Sequence, residues 1–322
     1  MGPEIRRIAT RRKRWVVSRS DPGSRLVRMD ARSEVFEALR PRLLGVAYRI
    51  LGSVTDAEDA LQDAWVRWSR ADLSSVVNPE AYLVTVVGRQ ATDHLRHAKR
   101  RRESYTGSWL PEPVANEPDP ALDPEAAAEL ADSLSMALLV VLETLSPLER
   151  AAFVLREVFD RPYPEVAATL GRSEQAVRQL VHRARGRVDE GHARFRADVA
   201  THADVVNRFL AACQGADVGA LLEVLAPDVV IVSDSGGQAQ APRRPVYGQD
   251  KVARLLVGFT GRAPEGLTIA MEYFNGALGI VGRVSGVPVA AMAVTVSDGT
   301  VQALQLIVNP EKLAFLQGVG LR

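Results

Sequence analysis

Three groupings in this 322-residue chain have the residue types and spacing to act at a macromolecular surface. The first is acidic. Asp56, Glu58, Asp59, Gln62 and Asp63 present one polar face of a helix, opposite the apolar stripe of Ala57, Leu61, Ala64, Trp65 and Trp68, and such a face suits basic partner helices. The second is cationic. Arg96, His97, Lys99, Arg100, Arg101 and Arg102 crowd a helix end, where the macrodipole favours them, but so dense a run repels itself unless phosphate is near. The third is a reading surface. A short helix from Pro164 to Leu170, the break Gly171-Arg172-Ser173 and a longer helix from Glu174 to Val188 have helix-turn-helix spacing. Ala167, Leu170, Val177 and Leu180 pack the two helices together and leave Arg172, Ser173, Glu174, Gln175, Arg178, Gln179 and His182 outward. Glu174, Gln175 and Arg178 reach base edges in a major groove, arginine pairing bidentately with guanine, while Arg172, Arg183, Arg185 and Arg187 hold phosphates.

The elements that carry these groups follow from apolar periodicity. Phe36, Leu39, Leu43, Val46 and Ile50 mark a helix ending near Gly52, and Thr55 with Glu58 has the spacing of a capping box for the next. Asn78-Pro79 opens a third helix that runs toward Arg102, which completes a helical domain over 30–102. Residues 103–123 are rich in proline and acid and form an extended linker containing Trp109-Leu110-Pro111-Glu112-Pro113. A second helical domain over 124–195 has Leu130, Leu134, Leu138, Val141 and Leu145 on one face, and Ser146-Pro147-Leu148-Glu149 caps a helix through Val158. The basic stretch 1–29 has no apolar period and reads as a disordered arm, or as sequence upstream of a true start at Met29.

Beyond residue 200 the pattern changes. Helices over Ala203–Gln214, Val218–Leu225 and Gln249–Val257 accompany strand-like runs at Val229–Val232, Leu267–Phe274, Leu278–Val284, Val287–Val296 and Val301–Val308. Helices followed by a curved antiparallel sheet predict a cone-shaped α+β domain over 200–322 with an interior pocket. Asp234 is the one carboxylate placed near that pocket, and it suits a turn cap as well as an acid or base. No Asp-His pairing supports catalysis.

Composition narrows the classes. With 47% apolar and 25% charged residues the chain reads as globular, and its single cysteine, Cys213, excludes an intrachain disulfide or a cysteine-cluster metal site and fits a reducing cytoplasm. No apolar stretch approaches the roughly 20 residues of a membrane span. A net charge of +1 makes the distribution of charge, rather than its sum, the informative quantity.

The motifs in this order resemble the extracytoplasmic-function sigma factors of bacterial RNA polymerase. Asp56 to Asp63 is similar to the acidic part of sigma region 2 that binds the clamp helices of the largest polymerase subunit. Asn78-Pro79-Glu80-Ala81-Tyr82-Leu83 through Asp93-His94-Leu95-Arg96 resembles its promoter-melting part, and Leu145 to Arg150 with the helix-turn-helix resembles region 4. Trp109-Leu110-Pro111-Glu112-Pro113 and Asn309-Pro310-Glu311-Lys312-Leu313 are similar to signatures of the subgroup with a SnoaL-like (NTF2-like) extension. Its glycine-rich Asp motif reads here Asp234-Ser235-Gly236-Gly237-Gln238, departing at Ser235 and Gln238.

The resemblance implies two all-α sigma domains followed by an α+β cone domain, no catalysis and no cofactor. The implied partners are polymerase core, promoter DNA and an unidentified small ligand of the C-terminal domain, with stress response as the family's association. It also implies control in cis, with Trp109, Leu110, Pro111, Asp234, Asn309, Pro310 and Lys312 as regulatory contacts. Two other readings compete: a ligand-regulated helix-turn-helix regulator, against which the acidic helix argues, and a SnoaL-like enzyme.

Overall fold

The computed structural model describes residues 24–115, 133–192 and 199–316. Most of the expected basic arm lies outside these residues, as do Asp123-Pro124 and Leu130. From Ser24 the chain is already helical, so residues 24–29 belong to the first helix rather than to an arm.

Helix α1 (Ser24–Leu51) ends at Gly52, whose φ of +71° breaks the helix, and α2 (Val54–Arg70) restarts immediately. Its N-cap is Ser53, whose side chain accepts from the Asp56 amide at 3.1 Å. The expected Thr55–Glu58 box is therefore displaced by two residues, because Gly52 turns the chain early enough to place Ser53 at the cap. Helix α3 (Pro79–Arg102) starts at the Asn78 cap with Pro79 at its first position, and its basic end carries Lys99 to Arg102.

The second helical unit comprises α4 (Met136–Glu143), α5 (Pro147–Phe153), α6 (Tyr163–Leu170) and α7 (Glu174–His192). Ser135 caps α4, so the leucine run is not one continuous helix; Leu134 precedes the cap and Leu145 follows the helix. Ser146 and Glu149 form the reciprocal capping box of α5, which widens into a π turn at Val154–Val158. Gly171, at φ +61°, ends α6 and makes the tight turn into α7. The apolar residues of both helical units merge into one core: Leu43, Val87 and Leu95 of the first belong to the same cluster as Leu139, Leu155 and Val166 of the second.

Helices α8 (Val199–Gln214) and α9 (Val218–Val224) precede strand β1 (Leu225–Asp234), the short β2 (Val246–Tyr247) and helix α10 (Gln249–Thr260). Strands β3 (Leu267–Phe274), β4 (Ala277–Val284), β5 (Val287–Ser297) and β6 (Thr300–Ile307) follow, then a final turn of helix, α11 (Pro310–Leu313). The sheet order is β2-β1-β6-β5-β4-β3, antiparallel except between β1 and β6. Asn275-Gly276, Ser285-Gly286 and Asp298-Gly299 close successive hairpins with positive φ at both positions, the two-residue geometry that matches strand twist. One face of the sheet packs on the three helices through Ile231, Ile280, Val294 and Leu304, with Val206, Phe209 and Leu256 opposite. The other face, through Val281, Ala291 and Ile307, is covered by Leu110 of the linker, Met136 of α4, and Leu313 and Leu316.

Gly52 stands where the sigma-like helices meet the linker. A Cβ there would lie 3.0 Å from Trp109 and 3.2 Å from both Arg150 and Glu143, in a backbone conformation that L residues avoid. Gly52→Ala is expected to destabilise the protein by roughly 1–3 kcal/mol, read as a lower urea midpoint; an unchanged midpoint would mean that the turn tolerates the side chain.

Candidate functional site

Asp234 ends β1 fully buried, with four direct donors and a fifth group one bond removed. The Lys312 ammonium donates to Oδ2 at 2.7 Å, the Leu110 amide to the same oxygen at 2.8 Å, the Tyr105 hydroxyl to Oδ1 at 2.6 Å and the Gly236 amide to Oδ1 at 3.1 Å. The fifth, Asn309 at the cap of α11, reaches it through Tyr105, donating Nδ2 to that hydroxyl at 2.9 Å. Lys312 also donates to the Leu110 carbonyl. Burial lowers the Lys312 ammonium from its usual range and Asp234 opposes the shift; burial together with Asp234 raises the Tyr105 phenol. The linker is thus bonded to the first strand of the C-terminal domain and to the segment that follows its last strand.

Trp109 completes the clasp from the side. Its ring lies between the Arg102 guanidinium, 3.3 Å from the centroid, and the Lys312 ammonium, at 3.9 Å. Glu112 then ties the linker to the first helical unit: its carboxylate accepts from the Val54 amide at 2.6 Å, its amide donates to Gly52 at 2.9 Å and its carbonyl accepts from Tyr48 at 2.7 Å. Burial raises the Glu112 carboxyl, and the Val54 amide counters it. Asn275, at the β3–β4 turn, exchanges two bonds with Val114 at 2.9 Å and donates Nδ2 to Tyr48 at 2.7 Å and to the Leu134 carbonyl at 3.3 Å.

The basic end of α3 holds the second helical unit. The Lys99 ammonium donates to the Glu143 and Leu145 carbonyls at the end of α4, at 3.1 and 2.5 Å, and Arg102 pairs with the Glu143 carboxylate at 2.7 Å. Arg150, with no exposed surface, pairs with the same carboxylate and donates to the Arg49 carbonyl at 3.0 Å. Arg89 donates to the Ala168 and Thr169 carbonyls at the end of α6, at 2.9 and 3.2 Å.

The sequence-predicted residues fall into distinct settings. Asp59 and Gln62 are exposed on α2, whereas Asp56 pairs with Arg101 at 2.9 Å, Glu58 with Arg40, and Asp63 with His94 at 2.9 Å. Arg96 pairs with Asp93 at 2.5 Å, Lys99 turns into the interior and Arg100 is exposed. Arg172, Ser173, Glu174, Gln175, Arg178, Gln179 and His182 all face solvent, with Arg178 stacked on Tyr163 at 4.1 Å and 3.5 Å from Glu174. Arg183 and Arg187 instead pair with Glu149, at 2.9 and 3.1 Å, and Arg185 with Glu157 at 2.6 Å. Trp109, Leu110, Asp234, Asn309 and Lys312 meet at the clasp, whereas Pro111 is buried next to Leu110 in the chain and Pro310 is exposed at the first position of α11. Sequence reasoning missed Tyr48, Tyr105, Glu112, Glu143 and Asn275. Only the Asn275-Gly276 turn carried a local signal. A cavity of about 290 Å³ lies beside the clasp, among Thr55, Arg101, Trp109 and Lys312. Among the described residues no group of three or more His, Cys, Asp or Glu side chains is placed to hold a metal, and no helix is long and apolar enough to cross a membrane.

Residues 35–101 match the family model for sigma-70 region 2 and residues 135–188 that for sigma-70 region 4. The chain is 45% identical to the extracytoplasmic-function RNA polymerase sigma factor SigJ of Mycobacterium tuberculosis, over 86% of this chain and 91% of the relative. It is 30% identical to the probable extracytoplasmic-function sigma factor SigI of the same species, over 88% and 95% of the two chains. The crystal structure of M. tuberculosis SigJ superposes with a TM-score of 0.70 at 42% identity, covering 87% of this chain and 97% of that one.

Glu149 supplies a solution signature of the second helical unit. Burial works against its charge, but the Ser146 hydroxyl and amide with Arg183 and Arg187 hold its carboxyl down to about 2. A depressed carboxyl stabilises the folded state above its unfolded value and loses that contribution as pH falls through the folded one. Glu149→Gln is expected to lower stability at neutral pH and to flatten its decline between about pH 4.5 and 2. Parallel acid-unfolding curves for the two proteins would count against this account.

Proposed function

The chain belongs to the extracytoplasmic-function RNA polymerase sigma factors, and from that premise we propose that its SnoaL-like C-terminal domain controls the two DNA-reading domains in cis by holding them in a closed arrangement. The carrying observation is the Asp234 clasp, which bonds the interdomain linker to the C-terminal domain while Glu112 and Trp109 bond it to region 2.

The proposed partners are polymerase core and promoter DNA in the cytoplasm. Core docking falls to the α2 face bearing Asp56, Glu58, Asp59, Gln62 and Asp63, and promoter melting to the end of α3. The upstream element is read by Glu174, Gln175 and Arg178 at the start of α7, with Arg172 on phosphate. A promoter presents its two elements at a separation, so both readers engage only when region 4 leaves region 2. In the closed arrangement Lys99 and Arg102 serve as latches on region 4; once it leaves they are free for DNA phosphates. The chain acts without catalysis: Asp234, the carboxylate that an enzyme reading requires, is committed on both oxygens to the linker and to Lys312.

Two outcomes test this reading. Asp234→Asn removes one partner of a buried ion pair, a loss of about 3–5 kcal/mol from the clasp. Faster proteolysis of the linker and greater output in transcription with purified core are expected, and if neither changes the in-cis reading fails. Arg178→Ala is expected to lose roughly 1–3 kcal/mol of preference at one upstream base pair across a promoter-mutant panel. Unchanged selectivity there removes Arg178 as a reader.

A further inference from the structure

We propose that the loop between β1 and β2 and the end of α10 form a third phosphate-binding surface, by which the C-terminal domain itself contacts the backbone of duplex promoter DNA. The inference rests on the sigma-factor reading and adds to it a DNA contact outside regions 2 and 4.

The observation is a segregation of unpaired charge. In the C-terminal domain Arg208, Arg254 and Arg283 each pair with a carboxylate, Asp204, Asp250 and Glu272. Arg243, Arg244 and Arg262 are exposed, and among the described residues none of the three forms an ion pair. Arg243 and Arg262 line a groove of about 580 Å³ together with Gln238, Gln240 and Phe259, and no carboxylate lines it. Glu311, which accepts from Gln238 at 3.2 Å, lies outside that lining.

Three further features favour a polyanion. Arg243-Arg244 is held between Pro242 and Pro245, whose fixed φ reduces the ordering needed to present both guanidiniums. Guanidinium and amide side chains together are the types that contact phosphate and sugar. The loop also lies close to the chain that leaves α3: a Cβ on Gly107, five residues past Arg102, would lie 3.7 Å from the Arg243 backbone, and Arg100 on α3 is exposed without an ion pair among the described residues. A duplex held at the end of α3 would therefore have Arg243 beside the chain that leaves that helix. An isolated patch of arginines on a solvated face would show neither a groove lined without carboxylates nor this approach to the chain leaving α3.

The test uses the full chain assembled with purified polymerase core on a labelled promoter duplex, with DNA affinity measured against salt concentration and affinity for core measured alongside. Each neutralised phosphate contributes about 0.9 to the slope of log affinity against log salt. The combined variant Arg243→Gln, Arg244→Gln, Arg262→Gln is expected to flatten that slope by about 2–3 while leaving the preference for promoter over a mutated upstream element intact. Arg244→Glu, which reverses one charge at an exposed position, is expected to weaken binding as well, and circular dichroism checks that both variants fold. Arg178→Ala runs in parallel to report on the sigma reading. If it loses upstream preference while the combined variant keeps the wild-type slope, the third surface is overturned and the sigma reading stands; if neither variant differs from wild type, both fall. A combined variant that loses affinity for polymerase core and none for DNA assigns the arginines to the polymerase and overturns the proposal.

Discussion

A carboxylate withdrawn from water is tolerated only where donors replace its hydration, and Asp234 has no exposed surface at all. Its four direct donors come from three parts of the chain: Tyr105 and Leu110 from the linker, Lys312 from the segment after β6, and Gly236 from its own turn. None of these satisfies the others' needs alone. Without the linker, Asp234 and Lys312 would be an ion pair at a sheet edge with half of its hydrogen bonds missing. Without Lys312, the Leu110 carbonyl would lose its donor and the carboxylate its countercharge. The linker conformation and the C-terminal domain's rim are therefore conditions of one another, and Trp109 enters the same condition by lying between Arg102 and Lys312.

From that point the rest of the interdomain geometry follows the direction of the chain. Leu110 fixed at Asp234 sends Pro111 to Val114, all buried, across the sheet face and past the start of α2. Glu112 there meets the free amide of Val54, which Ser53 leaves unsatisfied because its own hydroxyl serves Asp56. Val114 then pairs with Asn275, and Asn275 with Tyr48, so a hairpin turn of the C-terminal domain touches α1 through two side-chain atoms. Tyr48 donates to the linker and accepts from the hairpin, a bridge that neither side can replace with water once the site is buried.

The local parts of this arrangement were legible in the sequence and the long-range parts were not. Ser146-Pro147-Leu148-Glu149 announced a capping box because both halves lie within one helical turn, and Gly171 announced the break of the helix-turn-helix because αL geometry favours glycine. The hairpins were marked by Asn, Ser or Asp before Gly for the same reason. Glu112 carried no comparable signal: in a proline- and acid-rich stretch it looks like its neighbours, and only the fold brings it to an orphan amide 58 positions away. Lys99 and Arg102 were legible as cations and not as latches, since their partners, the carbonyls and carboxylate at the end of α4, are distant in sequence. The clasp residues were reached through the resemblance to a family, whereas composition supplied only an aromatic and a leucine in an otherwise polar linker.

The latch between the helical units differs in kind from the clasp. Asp234 answers one cation, whereas the Glu143 carboxylate faces Arg102 and Arg150, and its carbonyl accepts from Lys99. Burial pushes the Glu143 carboxyl up, and Arg150 and Arg102 more than reverse it; burial also lowers Lys99 and Arg102 from their usual ranges. One terminal nitrogen of Arg150 is buried without a hydrogen-bond partner among the described residues. Two guanidiniums share the one Glu143 carboxylate, while the neighbouring Lys99 ammonium rests on the Glu143 and Leu145 carbonyls. On the proposed in-cis reading, the linker clasp, with both oxygens of its carboxylate accepting two bonds each, would be the contact that has to open before the two helical units part.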